Sequence, residues 1–168
     1  MANRKMLAPN TTIIWVPEAG LTVQGVPTTA EINAGANISC AIVTGYTLNA
    51  TDSDTDDSKS ICDSANVQTP TYDNYECTLP LFRGDLVVPT LVFTTAFNLF
   101  KKPGARGYMF RRLGKGNAAV AAVGDIWSWY FLESDLPKNM ESDSGGPYQM
   151  EVPFLPQGYM KLNYALLT

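Results

Sequence analysis

Apolar and polar residues alternate with a period of two in three stretches of the chain. From Asn74 to Leu81, the side chains of Tyr75, Cys77, Leu79 and Leu81 alternate with those of Asn74, Glu76, Thr78 and Pro80, as in a strand with one buried face. Gln149 to Phe154 repeats the pattern with Met150, Val152 and Phe154 inward. The C-terminal stretch sets Met160, Leu162, Tyr164 and Leu166 on one side and Lys161, Asn163 and Ala165 on the other. Thr11 to Val16 and Ile126 to Leu132 are instead continuously β-branched and aromatic, which predicts strands buried on both faces or at an interface. Short strands punctuated by Gly, Pro and Asn predict a mainly β chain, a β-sandwich or barrel.

One segment breaks the alternation. After Pro89, Val92, Ala96 and Leu99 or Phe100 fall at helical spacing, Phe93 and Phe97 lie on the adjacent stripe, and Lys101 and Lys102 precede Pro103-Gly104. Cations before a Pro-Gly pair suit a helix C-terminus, so one helix within Thr90 to Lys102 is expected on the sheet. Two long stretches, 49–72 and 133–148, read as irregular. Loops beyond about 12 to 15 residues are uncommon unless functional or disordered. These two, with an N-terminal arm at 1–10, are the expected sites of contact outside a single domain at 1–168.

Composition narrows the function. Charged residues are 17% of the 168, against about 25% in a typical soluble domain, as expected of a surface that packs against copies of itself. Histidine is absent, which removes the commonest general base and metal ligand, along with Ser-His-Asp and Cys-His constellations. Gly114-Lys115-Gly116 is no phosphate-binding loop, and the acids near predicted strand ends, Asp85, Asp125, Glu133 and Asp135, carry no distinctive paired-carboxylate spacing. An enzyme is therefore the less supported class, and no cofactor is expected.

Arg4 and Lys5 are followed only by Met6-Leu7-Ala8 before Pro9, too short an apolar run for a signal peptide. The longest apolar run, Ala118 to Val123, is far below the ~20 residues of a membrane helix, so neither export by the general pathway nor membrane insertion is expected. Three Asn-x-Ser/Thr sequons, beginning at Asn10, Asn37 and Asn49, read as chance matches in a chain rich in Asn and Thr. Cys40, Cys62 and Cys77 are an odd number without a CxxC spacing, which reads as reduced thiols, a Cys62 to Cys77 bridge being the alternative.

The net charge of −4 is unevenly placed. Lys101, Lys102, Arg106, Arg111, Arg112 and Lys115 form a basic stretch without an acid, while Asp52, Asp54, Asp56 and Asp57 form an acidic one. Such polarity favours head-to-tail self-association, and it makes Arg4, Lys5, these four acids, Lys101, Lys102, Arg106, Arg111 and Arg112 the candidate subunit-interface residues. Asp52, Asp54, Asp56 and Asp63 also echo the register of a calcium loop, but position 6 is Asp57 rather than Gly and position 12 is one methylene short of Glu. Aromatic residues interleave the basic stretch as in some nucleic-acid surfaces. The pI of about 4.7 argues against binding by phosphate neutralisation.

The order of several blocks is familiar. Pro27-Thr-Thr-Ala-Glu31-Ile-Asn33-Ala-Gly35, then Ile38-Ser-Cys40-Ala, resembles the N-terminal part of major tail proteins, the tail-tube subunits of long-tailed, non-contractile phages of actinobacteria. Ala50-Thr-Asp52-Ser-Asp54-Thr, Ser60-Ile-Cys62, Tyr75-Glu-Cys-Thr-Leu79 and Phe82-Arg83-Gly84-Asp85 are similar to the blocks that follow in that family. So are Ala96-x-x-Leu99-Phe100, Gly104-x-Arg106-Gly107-Tyr108-x-x-Arg111, Gly124-Asp125 and Val152-Pro-Phe154. The resemblance implies a β-sandwich flanked by a helix. Six copies would form a ring, and rings would stack into a hollow tube that is built on a tape-measure protein and later conducts DNA without binding it specifically. It further implies tail-terminator and distal tail proteins as partners, a place in the virion, and assembly in the host cytoplasm, with the long loop and N-terminal arm reaching neighbouring subunits. The competing readings are a tail-terminator or head-tail joining ring, a capsid decoration protein, and a sugar-binding β-sandwich.

Overall fold

A computed structural model describes residues 9–57, 61–62, 65, 68–83, 91–140 and 146–167. The strands are β1 (Thr11–Pro17), β2 (Ala36–Asn37), β3 (Thr47–Asp56), β4 (Thr69–Phe82), β5 (Arg106–Leu113), β6 (Ile126–Ser134), β7 (Lys138–Met140) and β8 (Gln149–Ala165). All join one antiparallel sheet in the order β2-β1-β5-β6-β8-β4-β3, with β7 beside the start of β8. Helix α1 (Thr29–Ala34) and helix α2 (Val92–Phe100) lie against it. The mainly β architecture with a packed helix is as expected, and α2 begins two residues later than its spacing predicts because Leu91 is extended.

Both faces of the sheet are covered, which explains the continuous apolar runs. In β1, Ile13 and Trp15 enter one core with Met109, Tyr130, Leu132 and Phe154. Ile14 and Val16 enter the other, with Tyr108, Phe110, Trp127, Trp129 and Phe131. Helix α2 closes the first core: Ala96 and Phe100 are buried, and the Phe100 ring meets Trp15 and Phe154 edge-on at 5.1 Å each. Helix α1 closes the second through Ile32. Its start is a capping box, in which Thr28 Oγ1 accepts from Glu31 N–H while the Glu31 carboxylate accepts from Thr28 N–H. Burial raises the Glu31 carboxyl, but hydrogen bonds from Thr28 and Thr22 outweigh that and hold it at about 2.

Strand β8 departs from simple alternation. Against β6 it carries extra residues between Met160 and Pro156, and again between Tyr164 and Lys161. Gly158 (φ 79) and Asn163 (φ 53) sit in these bulges with left-handed backbones. Side chains of neighbouring strands satisfy the displaced backbone groups. Tyr75 Oη donates to Phe131 O at 2.7 Å and accepts from Gln157 N and Tyr159 N, at 2.9 and 3.2 Å. Ser128 Oγ accepts from Asn163 N at 3.0 Å. The second bulge shifts the phase of the C-terminal stretch: Met160 packs on the first core while Leu166 enters the second, so the expected common face of Met160, Leu162, Tyr164 and Leu166 does not form. Replacing Tyr75 by Phe strands three backbone groups; a loss of about 1–3 kcal/mol is expected in urea unfolding, and an unchanged midpoint would show that the hydroxyl is dispensable.

Candidate assembly surfaces

The stretch 49–72, expected as an irregular loop, is largely a hairpin. Residues 49–56 continue β3, and 69–72 begin β4. They pair from Asn49↔Glu76 outward to Asp56↔Thr69, with bulges on either side of Asp54. The composition concealed it because both faces are exposed and polar, so no alternation arises. In 133–148, likewise, Ser134 ends β6, and β7 pairs with β8.

The hairpin leaves the sheet at a fork. β4 pairs with β8 only from Cys77↔Phe154 to Phe82↔Gln149. Beyond that point β8 pairs with β6 alone and β4 with β3 alone. Each therefore presents a backbone edge without a strand partner among the described residues. A two-stranded ribbon is marginal by itself in water, and open edges are sites of strand addition. The hairpin surface is acidic: Asp52, Asp54, Asp56, Asp57, Asp73 and Glu76 are all exposed.

These acids do not build a metal site among the described residues. A calcium loop wraps its ligands around one point, whereas an extended strand spaces alternate residues by about 6.5 Å. Asp54 Oδ1 instead accepts from Asn74 Nδ2 at 3.1 Å. Asp63 lies outside the described residues, as do Arg4 and Lys5.

The basic stretch separates into different roles. Arg112 is 1% exposed and belongs to the subunit interior, which removes it from the interface candidates. Its Nη1 lies 2.7 Å from Asp125 Oδ2, its Nη2 donates to Thr12 Oγ1 at 3.2 Å, and its guanidinium lies 4.9 Å from the Trp127 ring centre. Lys115 pairs with the other Asp125 oxygen. Burial pushes the Asp125 carboxyl up, but hydrogen bonds from Lys115 and Arg112 overcome it and leave the group below the ordinary aspartate range. Arg111 caps the β3 edge, donating to Leu48 O and Asn49 Oδ1. Arg106 is half exposed beside Glu133 and Glu18, at 3.4 and 3.8 Å. Lys101 and Lys102 remain as exposed cations at the end of α2, Lys101 donating to Asn98. Of the six basic residues, Arg111 and Arg112 are turned to opposite faces by β5, Arg106 and Lys115 are paired with acids, and Lys101 and Lys102 stay at the end of α2.

Two further features bear on function class. Trp15, Trp127 and Trp129 are all buried, so none offers a ring to a sugar. Cys77 is buried in the first core, where desolvation pushes its thiol up, and Cys40 is an exposed thiol accepting from Asn117. Cys77 forms no bridge to Cys62. No described helix is long and apolar enough to cross a membrane.

A chain in a structure titled "Cryo-EM structure of the anti-feeding prophage (AFP) baseplate, 6-fold symmetrised" is similar to this one, with a TM-score of 0.54 at 11% identity, covering 96% of each chain. At that identity the likeness speaks for the fold. No curated protein sequence matches. A sequence model described as phage tail tube protein matches residues 1–168. The chain belongs to the phage tail tube protein family, and it is a structural tail component of a virion that associates with itself and with other tail proteins.

Proposed function

We propose that this subunit forms hexameric rings that stack into the hollow tube through which phage DNA leaves the virion. The observation that carries the reading is the fork between β4 and β8, with its acidic two-stranded hairpin. Exposed strand edges of this length are an aggregation hazard in a monomer; paired between neighbours, they build a continuous wall. The six-fold symmetry named for the similar baseplate structure supports a ring of six.

The charge distribution fits a conduit. Phosphate contacts add up through counterion release, so a lumen that attracted DNA would retain it by many small binding energies. A net charge of −4 per subunit, repeated round each ring, supplies mild repulsion instead. In this reading the acids face the lumen, while Lys101, Lys102 and Arg106 face outward or meet acids of a neighbour. The work is mechanical rather than catalytic.

A tape-measure protein, a tail terminator and distal tail proteins complete the proposed set of partners, with assembly in the host cytoplasm. The actinobacterial, non-contractile type rests on the order of the sequence blocks alone. Imaging of the concentrated, purified chain tests the function: hollow tubes support it, isolated rings favour a terminator or joining protein, and dispersed monomers contradict it.

A further inference from the structure

The turn between β5 and β6 is built unlike an ordinary surface loop. Its outward side chains are Ala118, Ala119, Val120, Ala122 and Val123, all exposed, with Val120 at 73% and Val123 at 67%. Its polar backbone is turned inward. Arg112 donates to the carbonyls of Gly116, Ala119 and Val120. Asn33 clamps Ala121 at both ends, accepting from its N–H at 2.7 Å and donating to its carbonyl at 3.1 Å. Asp125 accepts from Ala122 N–H, and Asn37 donates to Asn117 O. A buried ion pair therefore holds a rigid knob whose outer side chains are wholly apolar.

Such a surface has little with which to recognise a nucleic acid or a sugar, and it matches an uncharged apolar partner. The same chain exposes one beside the knob. A groove of about 340 Å³ is lined by Pro9, Ile42, Val43 and Tyr46, with Thr, Ser, Gly and Asn117 and no charged residue. Asn117 lies at the boundary of knob and groove, so each copy offers both features at one end of its sheet. We propose that the Ala118 to Val123 knob of one copy seats in the Pro9/Ile42/Val43/Tyr46 groove of a second copy. The match is one of charge and shape: neutral against neutral, convex against concave. This rests on the self-association of the family but is separate from the pairing of strand edges at the fork.

Cys40 supplies a test because it adjoins Ser39 in the groove wall and touches Asn117. One population of chains carries Val120→Cys with Cys40→Ser and Cys62→Ser; the other carries Cys62→Ser alone and keeps Cys40. Cys77 is buried and stays silent. A short bis-maleimide added to the mixed, assembled protein then joins position 120 to Cys40 only between copies. The expected result is an inter-chain 120–40 cross-linked peptide in at least tenfold excess over a mixture in which Val23→Cys replaces Val120→Cys.

Separately, Val120→Asp with Val123→Asp should abolish particles larger than a ring, or the ring itself, while the thermal midpoint of the subunit stays put. If that variant unfolds, Val120→Ser and the cross-link decide the matter. Assemblies of the mixed cysteine chains without the 120–40 product overturn the knob contact and leave the tube reading standing. A wild type that never assembles overturns both.

Discussion

Replacing Arg112 by Met is expected to destabilise the subunit by about 3 kcal/mol, the lower end of the range for removing one member of a buried ion pair. The change leaves Asp125, which is 6% exposed, with Lys115 as its remaining charged partner. It also releases three carbonyls of the β5–β6 turn. In a chain of this length the thermal midpoint should fall on the order of 10 °C. Adding Asp125→Asn should recover part of the loss, since the orphaned charge disappears while an acceptor for Ala122 N–H remains. A loss below about 1 kcal/mol, the usual range of an exposed pair, would contradict the buried anchor.

The sign of the pH dependence follows from the depressed Asp125 carboxyl. A group held below its unfolded value contributes stability that is fully present above that value and is lost as pH falls through the folded one. For Asp125 the window lies below about pH 4. The stability gap between wild type and Arg112→Met should therefore be widest at neutral pH and narrow in acid, leaving the part due to the three carbonyls.

The second large effect concerns the hairpin. Replacing Asp52 to Asp73 by Asn-Gly closes β3 onto β4 with a two-residue turn at the Thr51↔Asn74 pair. The described residues it removes are exposed, apart from the half-exposed Ser53, so the thermal midpoint should move by no more than about 2 °C. Self-assembly should be lost, because the removed ribbon carries the outer part of one edge of the fork and four of the candidate interface acids. Sedimentation at assembling concentrations gives the answer. Tubes of wild-type length from the shortened chain would exclude the hairpin from assembly.

The strands that face a core on one or both sides were legible in the sequence, because burial imposes period two on β4 and early β8 and continuous apolarity on β1 and β6. Helix α2 was legible for the same reason, with its stripe ending in Phe100 against Trp15 and Phe154. The hairpin was not. Solvent on both sides of a ribbon removes the alternation, and its pairing depends on contacts such as Asp54↔Tyr72 that no local pattern encodes. Gly158 and Asn163, turn-formers inside a strand, were the available signal for the bulges in β8.

For the assembly surfaces, charge clustering grouped residues that burial separates. Arg112 looked like its neighbours in sequence, yet it points into the interior with Tyr108 and Phe110 while Arg111 takes the opposite face. Ala118 to Val123 stood out only as the longest apolar run. What makes it a surface feature is the inward turn of its backbone onto Arg112, Asn33 and Asp125, a long-range arrangement.

Cryo-microscopy of the concentrated chain is the decisive test of polymerisation into a DNA conduit. Hollow tubes of stacked six-fold rings are expected, with hairpin strands paired across subunits and Lys101 and Lys102 away from the channel. Monomers at every concentration, rings that never stack, or tubes with Lys101, Lys102 and Arg106 lining the lumen would contradict it.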